Sequence, residues 1–192
     1  VINSSTTAID NTRPNATTLS PVNSGNASGT ITVRAGANDT FTGVINVTFQ
    51  FRNSTNQTSR ELATLNTGTI FAGEWTASYN TAQLADGRYN ITFNATDFAG
   101  NNNMTDIHQN FTVTIDNTIP NGTILSPANA TNIRGFFSIN ASVNDSLSKV
   151  SNVSFRLRSP GVEGTLAFAA LATGTTDQGV WNATFNSSTV PN

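Results

Sequence analysis

From Arg88 to Thr96 the chain alternates without a break. Tyr89, Ile91, Phe93 and Ala95 point one way, and Asn90, Thr92, Asn94 and Thr96 the other. A period of two is a strand with one buried and one wet face. Asp86-Gly87 ahead of it reads as a turn, because Gly takes φ > 0 at no steric cost. A polar loop with Gly100 follows over 97–103. The same alternation predicts strands over 30–37 (Ile31, Val33, Ala35 and Ala37 inward), 44–52 (Val47, Phe49, Phe51), 73–80 (Trp75, Ala77, Tyr79) and 108–115 (Phe111, Val113, Ile115). A strand over 15–19 follows the break at Pro14, and a weaker one around Leu62 and Leu65 fills 57–67. No stretch has a useful 3.6-residue period. Seven short strands separated by turns predict an all-β sandwich of two packed sheets.

The pattern occurs twice. Asp10-Asn11-Thr12-Arg13-Pro14-Asn15 returns as Asp116-Asn117-Thr118-Ile119-Pro120-Asn121, an offset of 106. The offset holds without a gap through Leu19-Ser20-Pro21, Asn38-Asp39, Asn46-Val47 and Trp75, which reappear at 125–127, 144–145, 152–153 and 181. Over 77 aligned positions 29 are identical. Leu166–Leu171 could pass for a helical turn, but it aligns with Arg60–Leu65 and is therefore read as strand or irregular structure. Residues 1–9 align with 107–115. The expected division is thus a last strand (1–9) of a preceding module, a whole module (10–115), and a second module begun at 116 and continuing to 192 without its last two strands.

The run Asp86-Gly87-Arg88-Tyr89 through Asp97-Phe98-Ala99-Gly100-Asn101 resembles the closing pattern of immunoglobulin-like modules repeated in bacterial and archaeal surface proteins. A Tyr just after a turn, with apolar residues at even spacing, is also the tyrosine-corner pattern of such sandwiches, and about 100 residues is their usual size. The resemblance implies tandem Ig-like β-sandwich modules, with about seven strands per 106-residue repeat, in an extracellular setting. The chain departs from the antibody pattern: Phe49 stands on the third strand, Trp75 comes from the 73–80 strand, and cysteine is absent.

Composition narrows the chemistry. Charged residues make up 10% of the chain, against about 25% in ordinary domains. Asn, Thr and Ser take their place with 27, 31 and 18 residues. The net charge is −2 with a single lysine, Lys149, which argues against a nucleic-acid partner, since counterion release needs clustered Lys and Arg. No apolar run approaches the roughly 20 residues of a membrane span. Without cysteine there is no disulfide, thiolate metal site or cysteine nucleophile.

Asn-x-Ser/Thr occurs 18 times, at Asn3, Asn15, Asn26, Asn38, Asn46, Asn53, Asn56, Asn90, Asn94, Asn103, Asn110, Asn121, Asn129, Asn140, Asn144, Asn152, Asn182 and Asn186. Chance (27 × 49/192, from the Asn and Ser+Thr counts) gives about seven of these acceptor motifs. Strands rich in Asn and Thr also generate the motif incidentally. Asn46, Asn90, Asn94, Asn110, Asn140, Asn152, Asn182 and Asn186 fall opposite the apolar faces, where a glycan would project into water. Many N-glycans and few charges point to an archaeal cell-surface glycoprotein whose sugar supplies the solubility that charge normally supplies.

The second candidate site is acidic. In an Ig-like sandwich the start of the first strand and two loops share one end, which groups Asp10, Asp39 and Asp97, with Asp116 and Asp145 as copies at the next junction. Hard oxygen ligands of this kind would hold Ca²⁺ and stiffen a module array. Each Asp would otherwise make a local Asx turn, and a glycan on Asn38 would crowd a metal. No organic cofactor is implied.

Catalytic readings fail on counting. His108 is the sole histidine, and Glu61, Glu74 and Glu163 do not recur at the repeat period. Phe41, Phe98 and Phe136 sit near loops, where they would bind sugar or plug module ends. A Lys–Asn crosslink needs a Lys that the first module lacks, since Lys149 aligns with Gly43. The expectation is a non-enzymatic structural part of an extracellular filament, stalk or surface layer, or alternatively a spacer or carbohydrate-binding, adhesive module of a larger adhesin or enzyme. Its partners would be neighbouring modules or copies. Without its last two strands the second module should expose Trp181, Phe185, Val153 and Phe155. The chain then reads as a window on a longer repeating polypeptide, or as one completed by a strand from another chain.

Overall fold

The computed structural model describes residues 9–55, 58–103, 111–159 and 162–189. The expected strand over 1–9 lies outside them. The chain divides after Asn117 into two compact units.

The first unit carries β1 (Asn15–Ser20), β2 (Gly25–Ala27), β3 (Thr30–Asn38), β4 (Val44–Arg52), β5 (Thr58–Gly68), β6 (Ala72–Asn80), β7 (Gly87–Asp97) and β8 (Thr112–Ile115). They form one curled sheet in the order β1-β3-β6-β5-β4-β7-β8-β2. β1, β3 and β6 make one layer; β4, β7, β8 and β2 make the other. β5 joins them. Its first half pairs with β4 as far as Ala63, and its second half pairs with β6 from Thr64. Ala63 is buried at this crossing, whereas Leu62 and Leu65 are exposed. The large side chains that signal this strand in the sequence are therefore not the ones that face the core.

Every other inward position follows the alternation. Val33, Ala35 and Ala37 of β3, Val47, Phe49 and Phe51 of β4, Trp75, Ala77 and Tyr79 of β6, and Tyr89, Ile91 and Ala95 of β7 fill one core; Ile31, Phe93 and Phe111 pack against it partly buried. Phe51 and Tyr79 stack across the layers with centroids 4.6 Å apart, and Phe49 meets Phe93 edge-on at 6.3 Å. The Tyr89 hydroxyl donates to the Ala85 carbonyl at 2.9 Å, completing the tyrosine corner. Burial pushes the Tyr89 pKa up, so the phenol stays protonated and keeps donating. Gly68 (φ +84°) turns the chain from β5 into β6 so closely that a Cβ would lie 2.5 Å from the Ala72 carbonyl oxygen.

The second unit carries β9 (Asn121–Ser126), β10 (Phe136–Asn144), β11 (Ser154–Ser159), β12 (Val162–Phe168), β13 (Ala170–Gly174) and β14 (Gln178–Asn186). β13-β14-β10-β9 form one sheet and β11-β12 a hairpin. β9, β10 and β14 stand 106 residues after β1, β3 and β6 at both ends. The crossing recurs too, with the break at Ala169, the copy of Ala63. The Leu166–Leu171 stretch is strand on both sides of that break. Ile139, Ala141, Val143, Val150, Phe155, Trp181, Ala183 and Phe185 form one buried cluster, and each is the copy of a buried residue of the first unit. This corrects the expected exposure of Trp181, Phe185 and Phe155. The hairpin side chains Phe155 and Leu157 belong to the same cluster as those of β10 and β14, so they cover one another; Val153 is partly buried.

The alternation did not predict β2. It is three residues long, and it exists because β8 lies alongside in parallel register, Gly25 with Val113 and Ala27 with Ile115.

Replacing Tyr89 with Phe should cost the first unit about 1 kcal/mol, the usual net worth of such a hydrogen bond. Urea denaturation followed by tryptophan fluorescence checks this; an unchanged midpoint would mean the corner is ornamental.

Candidate functional site

Three of the five acidic residues converge. The carboxylate oxygens of Asp10, Asp39 and Asp97 offer one ligand atom each within 4.8 Å of one another, and all three residues are buried. Each arrives from a different part of the fold. Asp10 lies in the segment leading into β1, Asp39 follows the last residue of β3, and Asp97 is the last residue of β7. Antiparallel register brings these together, since Asn15 pairs with Asn38, and the β7–β8 pairing runs toward the opposite pole.

Backbone dipoles aim the carboxylates. Asp39 Oδ1 accepts from the N–H groups of Phe41, Thr42 and Gly43 at 2.9–3.0 Å. Asp97 Oδ1 accepts from Ala99 and Asn101 N–H at 2.9 and 2.8 Å. Asp10 Oδ1 accepts from Thr12 N–H, and its Oδ2 accepts from the Thr42 hydroxyl at 2.6 Å. Asn101 ties the loops together: its side-chain amide donates to both Asp97 Oδ2 and the Asp10 carbonyl at 2.9 Å. The Thr42 hydroxyl, with the Thr12 N–H, holds the Asp10 carboxyl below the usual carboxylate range.

Asp145 repeats the Asp39 turn. Its Oδ1 accepts from the N–H groups of Leu147, Ser148 and Lys149 at 3.0–3.1 Å. Burial pushes its carboxyl up, but these three N–H groups outweigh burial and hold it below the usual range. Ser148 stands where Thr42 stands, and its hydroxyl turns back to Asp145 Oδ2. Asp116 is buried at the end of the first unit, its N–H donating to the Ala27 carbonyl. Asp116 and Asp145 belong to different units. The positioning residues Thr42 and Asn101 were missed in the sequence. A readable signal existed for one: a hydroxyl residue three places after the Asp recurs in both modules.

The acceptor motifs are spread over the surface. Asn15, Asn26, Asn38, Asn90, Asn121, Asn129, Asn144 and Asn152 are exposed; Asn46, Asn53, Asn94, Asn140, Asn182 and Asn186 are half-buried. Asn103 is buried, with Oδ1 accepting the Ala95 N–H at 2.7 Å. Asn3, Asn56 and Asn110 lie outside the described residues, as does His108. Phe41 and Phe98 are exposed in the loops around the acidic cluster, and Phe136 is exposed at the start of β10. Glu74 is bound to Arg34 and Asn66 across the outer face of the first layer, and Arg34 holds its carboxyl low.

The model of the bacterial Ig-like domain (group 3) matches residues 73–179, more than half of the chain. The chain belongs to this family. A second model, the bacterial Ig domain, matches residues 14–92. The group 3 match begins in β6 and ends in β14, out of phase with the two units, as the 106-residue repeat permits. Bacterial Ig-like domains are typically non-catalytic structural or spacer modules, commonly of extracellular or surface proteins, and no catalytic family matches. A search of curated proteins finds no match. Among solved structures, an endo-β-1,4-mannanase from Thermotoga petrophila matches with a TM-score of 0.40 and 12% identity over 57% of this chain and 21% of that one. Among the described residues no helix is long and apolar enough to cross a membrane.

Asp10 and Asp145 have folded pKa values below their unfolded ones, so both contribute stability that is complete above the unfolded value of about 3.9 and lost as pH falls through the folded value. Stability should therefore be flat from pH 7 to 5 and decline below about pH 4. Asp145→Asn, which cannot take up that proton, should reduce the slope of the decline for the second unit. Stability that rises on acidification contradicts the assignment.

Proposed function

We propose that this chain is a structural segment of an extracellular filament, stalk or surface layer built from glycosylated Ig-like repeats, in an archaeal setting. The observation that carries the reading is the gapless repeat: the eight buried residues of the second core each copy a buried residue of the first. Repeats of this kind contact their neighbours and extend in one dimension. Neighbouring copies or modules are its partners, and the site chemistry supports no catalytic role.

Glycans suit the edges of this fold. Among the described residues β1 and β2 are the edge strands of the first unit, and neither contains a charged residue. Edge strands are normally guarded by charge against pairing with other chains. Here each carries an exposed acceptor, Asn15 or Asn26, and β9 of the second unit carries Asn121. Protein from its native source should weigh more than the bare 20.2 kDa, with Asn15, Asn26 and Asn121 modified and buried Asn103 bare. An intact mass equal to the polypeptide removes the glycan from the reading.

We further propose Ca²⁺ as the occupant of the acidic cluster. Asp10, Asp39 and Asp97 would hold it, an oxygen-only donor set that suits a hard cation. Bound there, the ion would offset two of the three carboxylate charges and fix the segment leading into β1. Ca²⁺ at a hundredfold excess over its Kd should add about 2.7 kcal/mol of stability. The gain should vanish in Asp39→Asn and Asp97→Asn. Calorimetric melting in Ca²⁺ and in chelator decides it; a gain that survives either substitution excludes the site.

A further inference from the structure

We propose that strand register sorts acceptor asparagines into facing pairs, and that each pair carries no more than one glycan. This pairing rule rests on the glycosylated reading above and deepens it by naming which acceptors are used. Asn15 of β1 pairs with Asn38 of β3. In the second unit Asn121 of β9 pairs with Asn144 of β10, and Asn140 of β10 pairs with Asn182 of β14. All six open an Asn-x-Ser/Thr motif. The first two pairs are copies of one another at the offset of 106, so both acceptors and their register return together.

Partners in register point to the same face. Ala16 and Ala37, next to Asn15 and Asn38, are buried, which turns both asparagines outward. Both are exposed, as are Asn121 and Asn144. Directly opposite side chains of an antiparallel pair have Cβ atoms about 4.5–5.5 Å apart and stand roughly perpendicular to the sheet. A pyranose ring with its hydroxyls is broader than that gap. One glycan therefore fills the space over its neighbour, and a second on the facing asparagine would meet it ring against ring. The third pair shows how close the stems lie. Asn182 Nδ2, the atom a sugar would take, donates to Asn140 Oδ1 at 2.6 Å, and Asn140 Nδ2 donates to Ser126 Oγ at 2.8 Å.

In the first two pairs the edge strand carries the sugar. Transfer joins Nδ2 to the anomeric carbon of a phosphate-activated oligosaccharide. The bond from that carbon to a phosphate oxygen breaks, the phosphate leaves, and Nδ2 gives up one proton to solvent. Among the described residues β1 and β9 are edge strands, whereas β3 lies between β1 and β6, and β10 between β9 and β14. An edge strand reaches such a donor by loosening one ladder; an interior strand must loosen two. The choice matters for the acidic pole, because Asn38 and Asn144 immediately precede Asp39 and Asp145. Sugar on Asn15 and Asn121 leaves those aspartates uncrowded.

Glycopeptide mass spectrometry of the full chain from its native source reads the occupancy of each asparagine. Asn15 and Asn121 should be occupied and Asn38 and Asn144 nearly bare, and the two occupancies of any pair should sum to no more than one glycan per chain. Thr17→Ala removes the acceptor motif at Asn15 without altering either asparagine, and Thr17 is exposed. In that variant, and in Asn15→Gln, the occupancy of Asn38 should rise severalfold. A sum above one in any pair overturns the exclusion. So does an Asn38 that stays bare in both variants, since the facing glycan would then not be what keeps it empty. Sugar on Asn38 or Asn144 in place of its partner overturns the edge preference. A chain bare at every asparagine is a different result, which overturns the glycan reading itself.

Discussion

Both units depend on two thin layers meeting through large side chains. In the first unit Phe51 of β4 stacks on Tyr79 of β6, with Trp75, Phe49 and Tyr89 buried around them. Burying one such side chain is worth about 1.5–3 kcal/mol. A chain with so few charges has little else to organise it. The alternation along each strand exists to deliver these rings to one face, and the outer faces are left to Asn, Thr and Ser. The same division of labour leaves the surface rich in acceptor motifs and poor in ion pairs.

Once the layers meet, the poles are determined. Strands of nine to eleven residues end together, so the loops that follow β3 and β7 meet the segment that precedes β1. This is why Asp10, Asp39 and Asp97 gather at one pole although 87 positions separate the first from the last. At the other pole the last strand ends beside β2, and the Asn117 side chain accepts the Gly29 N–H and donates to the Thr81 carbonyl. The two poles differ in chemistry. One holds converging carboxylates aimed by backbone N–H groups; the other holds amide and hydroxyl contacts that secure the outgoing chain.

The repeat shows which of these features are general to the fold and which belong to one unit. The Asp39 turn recurs at Asp145 bond for bond, because it is local: one carboxylate oxygen and the three N–H groups that follow it. Ser148 keeps a hydroxyl at the place of Thr42, and it donates to Asp145 Oδ2 at 3.2 Å. The Arg34–Glu74 pair has no counterpart, since Asn140 and Val180 stand at the copied positions; there Asn140 is bound instead to Ser126 and Asn182.

In the first unit the sequence alone determined every strand but β2, every inward face but that of β5, the period of 106 and, through its Ig-like resemblance, the grouping of Asp10, Asp39 and Asp97. Each of these is written in spacing: a period of two for faces, a fixed offset for modules, and loop positions for the pole. Tertiary structure decided what spacing cannot carry. Ala63 rather than Leu62 or Leu65 turns inward, because β5 changes partner there from one layer to the other. β2 is a strand because β8 lies beside it. Thr42, Asn101 and Asn117 acquire their roles from partners far away in the chain. Trp181 and Phe185 are covered because the β11–β12 hairpin packs on their layer, a contact between segments that no local pattern records.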